Sequence, residues 1–197
     1  MKTAAVIIAG GRSSRMGREK AFELVGRETI LARTVGRLLP QALQLAINAN
    51  GEAARFRETG LMVLPDLRGD EATPLAGLHT ALSFAAREGF DAVLTVPSDC
   101  PFLPPDLVER LAARRLPAAV AASGGQPHFV TGLWASALLP QLAAFLGQPR
   151  PRRLQDWARE SGAAAVAWPV EPYDPFFNVN TPEDLAEANR VAAQSGA

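Results

Sequence analysis

Ala4-Ala5-Val6-Ile7-Ile8-Ala9-Gly10-Gly11-Arg12-Ser13-Ser14-Arg15-Met16-Gly17-Arg18-Glu19-Lys20 decides how the chain is read. The apolar run Ala4 to Ile8 has the unbroken hydrophobicity of a strand buried on both faces, which is the habit of a parallel sheet. The loop after it holds Gly10, Gly11 and Gly17. Glycines leave room for a ligand to approach the backbone, and successive amides in such a loop can point into one concavity and bind an anion. Arg12, Arg15, Arg18 and Lys20 crowd into the same loop against Glu19. Cations packed so closely repel one another unless an anion sits among them, and a polyphosphate fits. The spacing matches neither GxxxxGK[ST] nor GxGxxG, so the two common phosphate motifs are excluded.

Downstream the pattern repeats as strand, loop, helix. Thr29 opens an amphipathic helix that closes at Pro40. Strands are predicted at 43–47, 61–64 and 92–96, with helices at 53–59, 73–87 and from Pro104 to Arg115. This alternation predicts an α/β fold, a parallel sheet with helices on both faces joined by right-handed crossovers. In such sheets ligands sit beyond the carboxyl ends of the strands. The residues just past those ends are the glycine loop, Asn48, Asp66 and Asp99. The second part differs. Residues 118–122 and 128–134 read as two strands joined by Ser123-Gly124-Gly125-Gln126. Helices follow at 135–146 and 154–160, with a basic, proline-rich linker at 148–153 between them, and then a strand over 163–170. Phe176 to Asn180 is short and extended, ending where Thr181 caps a last helix, with Pro182 in first position and Asp184 as a capping-box acid.

Composition bounds the function. The chain has 197 residues, 48% hydrophobic and 20% charged, enough for a substantial core; it fits one large α/β domain or two small ones. Lys+Arg and Asp+Glu balance at 20 each, so no general nucleic-acid surface is indicated. The lone Cys100 excludes an internal disulfide framework, and His79 and His128 match no metal-ligand spacing; both histidines are read as packed or exposed side chains. No apolar run approaches the ~20 residues of a membrane span, and the N-terminal run is too short for a signal peptide, so a cytoplasmic protein is expected.

Asp99 lies between Pro97 and Pro101, which restrict the backbone at the strand end. It is the first candidate to ligate Mg²⁺, a hard cation held by one or two carboxylates together with substrate phosphates. Lys20 ends the anion loop and is placed to neutralise charge on a transferring phosphoryl group. Asn178 and Asn180 flank Val179 with period two, so both face one way, as a metal-phosphate site or a pterin-type ligand would require. Asn48 and Asp66 are candidates for a ribose hydroxyl or a base edge, an aspartate being able to accept guanine's paired N–H donors; either also suits a plain turn.

With these residues in view, Ile8-Ala9-Gly10-Gly11, Arg15-Met16-Gly17 and Lys20 resemble the LAGGxSxRMGxxK signature of nucleotidyltransferases. Thr73-Pro74-Leu75-Ala76-Gly77-Leu78, Asp99-Cys100-Pro101-Phe102-Leu103-Pro104-Pro105 and Asn178-Val179-Asn180-Thr181-Pro182-Glu183-Asp184-Leu185 resemble three further segments of the molybdenum cofactor guanylyltransferases of MobA type. The resemblance spans nearly the whole chain in order. Thr73 stands where that family usually has glycine, and Ile8 where leucine is common.

The resemblance implies a three-layer Rossmann-like nucleotidyltransferase fold over 1–197, with 1–116 as the nucleotide-binding half and 117–197 as the acceptor-binding half. It implies Mg²⁺-dependent transfer of GMP from GTP to molybdenum-bearing molybdopterin, with release of diphosphate. Lys20, Asp99 and Arg15 would be catalytic, with Asp99 on the metal. Ile8, Ala9, Gly10, Gly11, Lys20, Asn48, Asp66, Pro74, Leu75 and Asp99 would bind nucleotide, and Asn178 and Asn180 would lie toward the pterin. Molybdopterin-handling proteins and recipient molybdoenzymes would be its protein partners. Two rivals are kept: a related enzyme using CTP on molybdopterin or acting on a sugar phosphate, and a non-catalytic nucleotide-binding partner of molybdoenzymes.

Overall fold

β1 (Thr3–Ile8) is buried at every position, and its alternating side chains feed two separate cores. Ala4, Val6 and Ile8 enter one; Ala5 and Ile7 enter the other. Successive strand residues point to opposite faces, so a strand apolar at every position must be covered on both sides. The structure, a computed structural model, describes residues 1–9, 20–51, 53–67, 73–115, 117–149 and 153–195.

After β1 come the short hairpin strands β2 (Leu24–Val25) and β3 (Glu28–Thr29), then β4 (Gln44–Asn48), β5 (Met62–Leu64), β6 (Ala92–Pro97), β7 (Ala118–Ser123), β8 (Gln126–Ala135) and β9 (Ala164–Trp168). Seven of them form one sheet in the order β5-β4-β1-β6-β8-β7-β9. β5, β4, β1 and β6 are mutually parallel; β8 runs antiparallel to both β6 and β7, and β9 parallel to β7. The sheet is therefore mostly parallel, and it takes strands from both sides of residue 116.

The helices are α1 (Ile30–Leu38), α2 (Pro74–Arg87), α3 (Leu107–Ala112), α4 (Leu139–Leu146), α5 (Leu154–Glu160) and α6 (Pro182–Ser195). α2, α4 and α5 supply Leu75, Leu78, Leu142, Phe145 and Trp157 to the first core. α1 and α3 supply Leu31, Leu38, Leu107 and Leu111 to the second. This gives the expected three layers. A third, smaller cluster of Val25, Ile30, Phe102, Val179, Ala188 and Ala192 packs α6 against the β2–β3 hairpin.

The caps follow the sequence. Thr29 and Thr73 accept from the amides of Ala32 and Ala76, at 3.1 and 3.2 Å. At α6 the Asp184 amide donates to Thr181 Oγ1 at 3.1 Å while the Thr181 amide donates to Asp184 Oδ2 at 2.9 Å, a reciprocal capping box.

Three elements differ from the sequence reading. Residues 53–59 form a 3₁₀ rather than an α-helix, burying only Phe56, too little apolar surface to hold a longer amphipathic turn. α3 stops at Ala112, and the chain turns at Arg115 with φ of 51°. Residues 176–180 stay outside the sheet; the Val179 amide donates to Asp99 O at 3.0 Å instead. Among the described residues no helix is long and apolar enough to cross a membrane.

Candidate active site

Sheet register places the candidate residues before any side chain is considered. Ile8 pairs with Asn48 on one side and with Pro97 on the other, and Asn48 pairs with Leu64. Ile8, Asn48, Leu64 and Pro97 thus end four neighbouring parallel strands in one row. The residues immediately beyond share the carboxyl edge, and main-chain bonds extend the row: Ala9 N–H to Asn48 O at 2.8 Å, Ala49 N–H to Leu64 O at 3.1 Å and Ser98 N–H to Ile8 O at 3.2 Å.

At this edge a cleft of about 480 Å³ opens between the two sides of the molecule. Ile8, Ala9, Pro74, Ser98, Asp99 and Asn178 line it. Pro127, His128, Phe129, Val130 and Thr131, from the start of β8, also line it. Asp99 is partly buried in its lining. Burial pushes its carboxyl above the usual carboxylate range, while the Lys20 ammonium and a backbone N–H pull it back down. Lys20 Nζ donates to Asn180 Oδ1 at 2.8 Å, joining residues 160 apart in the chain. The glycine-loop lysine, the β6-end carboxylate and the Asn178–Asn180 segment therefore meet in one place. Asn178 and Asn180 are both exposed around the buried Val179, as their spacing requires. The Cys100 thiol, 2.6 Å from Asn178 Oδ1, is fully buried; burial and then the charges of Asp99 and Asp174 keep it protonated.

Asn48 and Asp66 form a second group along the rim. Asn48 is 1% exposed, and its amide nitrogen donates to Leu64 O at 3.0 Å and to Asp66 Oδ1 at 2.8 Å. Asn50 donates to Asp66 Oδ2 at 2.7 Å and accepts the Asp66 amide at 2.9 Å. Asn48 thus lies beneath the surface and orients Asp66, whose carboxylate oxygens keep lone pairs to offer a ligand. Leu75, 3% exposed, packs in the core beneath α2, so Pro74 alone of that pair faces the cleft. Gly10, Gly11 and Arg15 lie outside the described residues.

The wall at 127–131 is absent from the sequence reading, and no local signal marks it. It arises from a register shift. Val120 pairs with Gly132, yet its neighbour Ala121 pairs with His128, leaving residues 129–131 bulged out of the ladder. A bulge re-aims side chains and bends its strand. Thr95 Oγ1 donates to the bulge carbonyl of Val130 at 2.8 Å and accepts from Trp134 Nε1 at 3.0 Å, so the displaced backbone is held from below. His128, read from sequence as a packed or exposed side chain, is half-buried, packs on Phe176 and lines the cleft.

Among the described residues no three His, Cys, Asp or Glu side chains gather as a metal cage. Asp99 nonetheless suits Mg²⁺, which dehydrates reluctantly and binds through one or two carboxylates plus substrate phosphates and water.

Comparisons with known proteins agree with this fold. Residues 5–165 match the family model of the MobA-like NTP transferase domain. The chain is 45% identical over 201 residues to the molybdenum cofactor guanylyltransferase of Nitrobacter hamburgensis, covering 98% of this chain and 96% of that one. It is 45% identical over 190 residues to that of Rhodobacter capsulatus, covering 95% of each. Among solved structures, the molybdopterin-guanine dinucleotide biosynthesis protein A of Archaeoglobus fulgidus superposes with a TM-score of 0.72 at 21% identity, over 98% of this chain and 99% of that chain. The 2-C-methyl-D-erythritol 4-phosphate cytidylyltransferase of Thermus thermophilus has the same fold, with a TM-score of 0.69 at 22% identity, over 96% and 98% of the two chains. The chain belongs to the MobA-like NTP transferase family.

Proposed function

We propose that this enzyme transfers GMP from GTP to molybdopterin carrying molybdenum, forming the guanine dinucleotide cofactor. One observation carries the reading: Lys20, Asp99 and Asn180, from three remote segments, converge at the carboxyl edge of a sheet whose relatives are guanylyltransferases. A phosphate oxygen of the acceptor attacks the α-phosphorus of GTP in line. The new P–O bond forms as the bond to the β-phosphate oxygen breaks, and diphosphate leaves.

No protein nucleophile is needed, because positioning and electrostatic stabilisation supply most of the catalysis in such transfers. Lys20, held by Asn180, offers a fixed positive charge to the phosphates. Asp99 would hold Mg²⁺, which when bound neutralises charge on the triphosphate. Gly10, Gly11 and Arg15 would cradle the same phosphates, and Asp66, oriented by Asn48 and Asn50, would take the ribose or base. Residues 1–116 would carry the nucleotide and 117–197 the acceptor. A cytoplasmic site of action and contact with molybdopterin-handling proteins or recipient molybdoenzymes accord with that role.

The test is a panel of NTPs with molybdenum-loaded molybdopterin, followed by diphosphate release. GTP should turn over fastest. Faster turnover with CTP would overturn the assignment, and GTP binding with no turnover would favour a non-catalytic partner.

A further inference from the structure

The part of the cleft lining that β8 supplies holds a hydrogen-bonded chain that the transfer chemistry does not use. His128 Nε2 lies 2.7 Å from Ser123 Oγ, and Ser123 Oγ lies 3.0 Å from Asp174 Oδ2. Asp174 is itself anchored, its Oδ1 accepting the Phe176 amide at 2.9 Å. Ser123 is 3% exposed, so its hydroxyl answers to these partners rather than to water. A carboxylate can only accept, and a hydroxyl has one proton to give. Ser123 therefore donates to Asp174, and its oxygen receives the N–H of His128 Nε2. This fixes the neutral imidazole as the Nε2–H tautomer and leaves Nδ1 with its lone pair. No partner among the described residues pairs with Nδ1. Burial pushes the imidazole below its usual pKa, against the opposing pull of Asp174, which keeps the ring neutral.

The surroundings define what the lone pair can meet. His128 lines the cleft beside Pro127, Phe129 and Val130, and its ring packs on Phe176 with centroids 4.9 Å apart. Pro127, Phe129, Val130 and Phe176 give apolar surface around the Nδ1 acceptor, a pairing that suits the face and edge of a flat heterocycle. It does not suit a phosphate, whose oxygens carry lone pairs of their own.

Resting on the acceptor assigned above, we propose that His128 is a specificity residue for that acceptor: its Nδ1 takes a hydrogen bond from an N–H of the acceptor's pterin-type heterocycle, and Ser123 and Asp174 are positioning residues that hold the tautomer.

The experiment uses the full chain. Binding of 6-hydroxymethylpterin is followed by quenching of its fluorescence, and KM is measured separately for GTP and for molybdopterin. His128→Phe should weaken pterin binding and raise the acceptor KM about tenfold, the weight of one neutral hydrogen bond. The KM for GTP and the melting temperature should stay at wild-type values. His128→Asn, whose amide oxygen falls near the Nδ1 position, should recover part of the loss. Ser123→Ala should move the acceptor KM in the same direction, about threefold. Unchanged pterin binding and acceptor KM in His128→Phe would overturn the proposal while leaving guanylyl transfer standing, and so would an equal rise in both KM values. A wild-type protein that makes no dinucleotide would remove the reaction on which the proposal stands.

Discussion

At the scale of single residues, the role proposed for Asp99 sets function against stability. Its carboxyl is raised above the ordinary range chiefly by burial, with Lys20 opposing. The folded protein therefore keeps the Asp99 proton to higher pH than the unfolded chain does. Between the ordinary and the raised pKa the native state binds more protons, so stability falls as pH rises through that window. The ionised side chain therefore weakens the fold at neutral pH. Asp99→Asn should melt above wild type near pH 7 and no higher at about pH 3, below the unfolded pKa, in thermal scans without metal. The same variant should lose nearly all turnover. Lys20→Met removes both the Asn180 contact and the charge near Asp99, and should lower kcat about 100- to 1,000-fold with little change in melting temperature, as measured by diphosphate release.

At the scale of elements, caps and close seats decide the behaviour. Removing the Thr181 hydroxyl breaks one arm of the α6 capping box, and Thr181→Ala should cost about 1 kcal/mol, or roughly 2–4 °C in calorimetry. α2 sits close on the strand ends at Gly77, where a Cβ would meet Asn48 Oδ1 at 2.6 Å and Ile8 at 3.1 Å. Gly77→Ala should destabilise by about 1–3 kcal/mol and raise the KM for GTP, because Asn48 holds Asp66. Gly36, also helical but exposed, has nothing within 4 Å of where an added methyl would sit, so Gly36→Ala should instead stabilise by up to about 1 kcal/mol. Measured side by side, the two alanines separate helix propensity from packing.

For the whole molecule, the sheet runs without interruption through both sides of residue 116. β8 pairs with β6 through Ala92 to Thr95, and Trp134 and Val120 share a core with Val6 and Leu78. A fragment ending at residue 116 would expose the β6 edge and much of both cores. We expect it to lack a cooperative unfolding transition by circular dichroism, whereas the full chain melts with one. The cleft belongs to this scale too, since its walls come from strands on both sides of that point.

Much of the architecture was legible locally. The unbroken apolar run of β1, the Thr–Pro starts of α2 and α6 and the Ser123–Gln126 turn follow from side-chain periodicity and turn chemistry, which act within a few residues. The same locality marked Asp99 and Lys20 as candidates, by residue type and by neighbours. The bulge at 129–131, the burial of Asn48 and Leu75 and the chain Asp174–Ser123–His128 were not legible. Each depends on which strand lies beside which and in what register, and register is settled only when two faces of a sheet bury their side chains at once. By itself the sequence determined the layers and marked the candidates we propose for a metal-bound triphosphate. Tertiary structure alone decided what joins them in the cleft, because a hydrogen-bond partner 51 positions away in the chain, as Asp174 is from Ser123, is chosen by packing rather than by local preference.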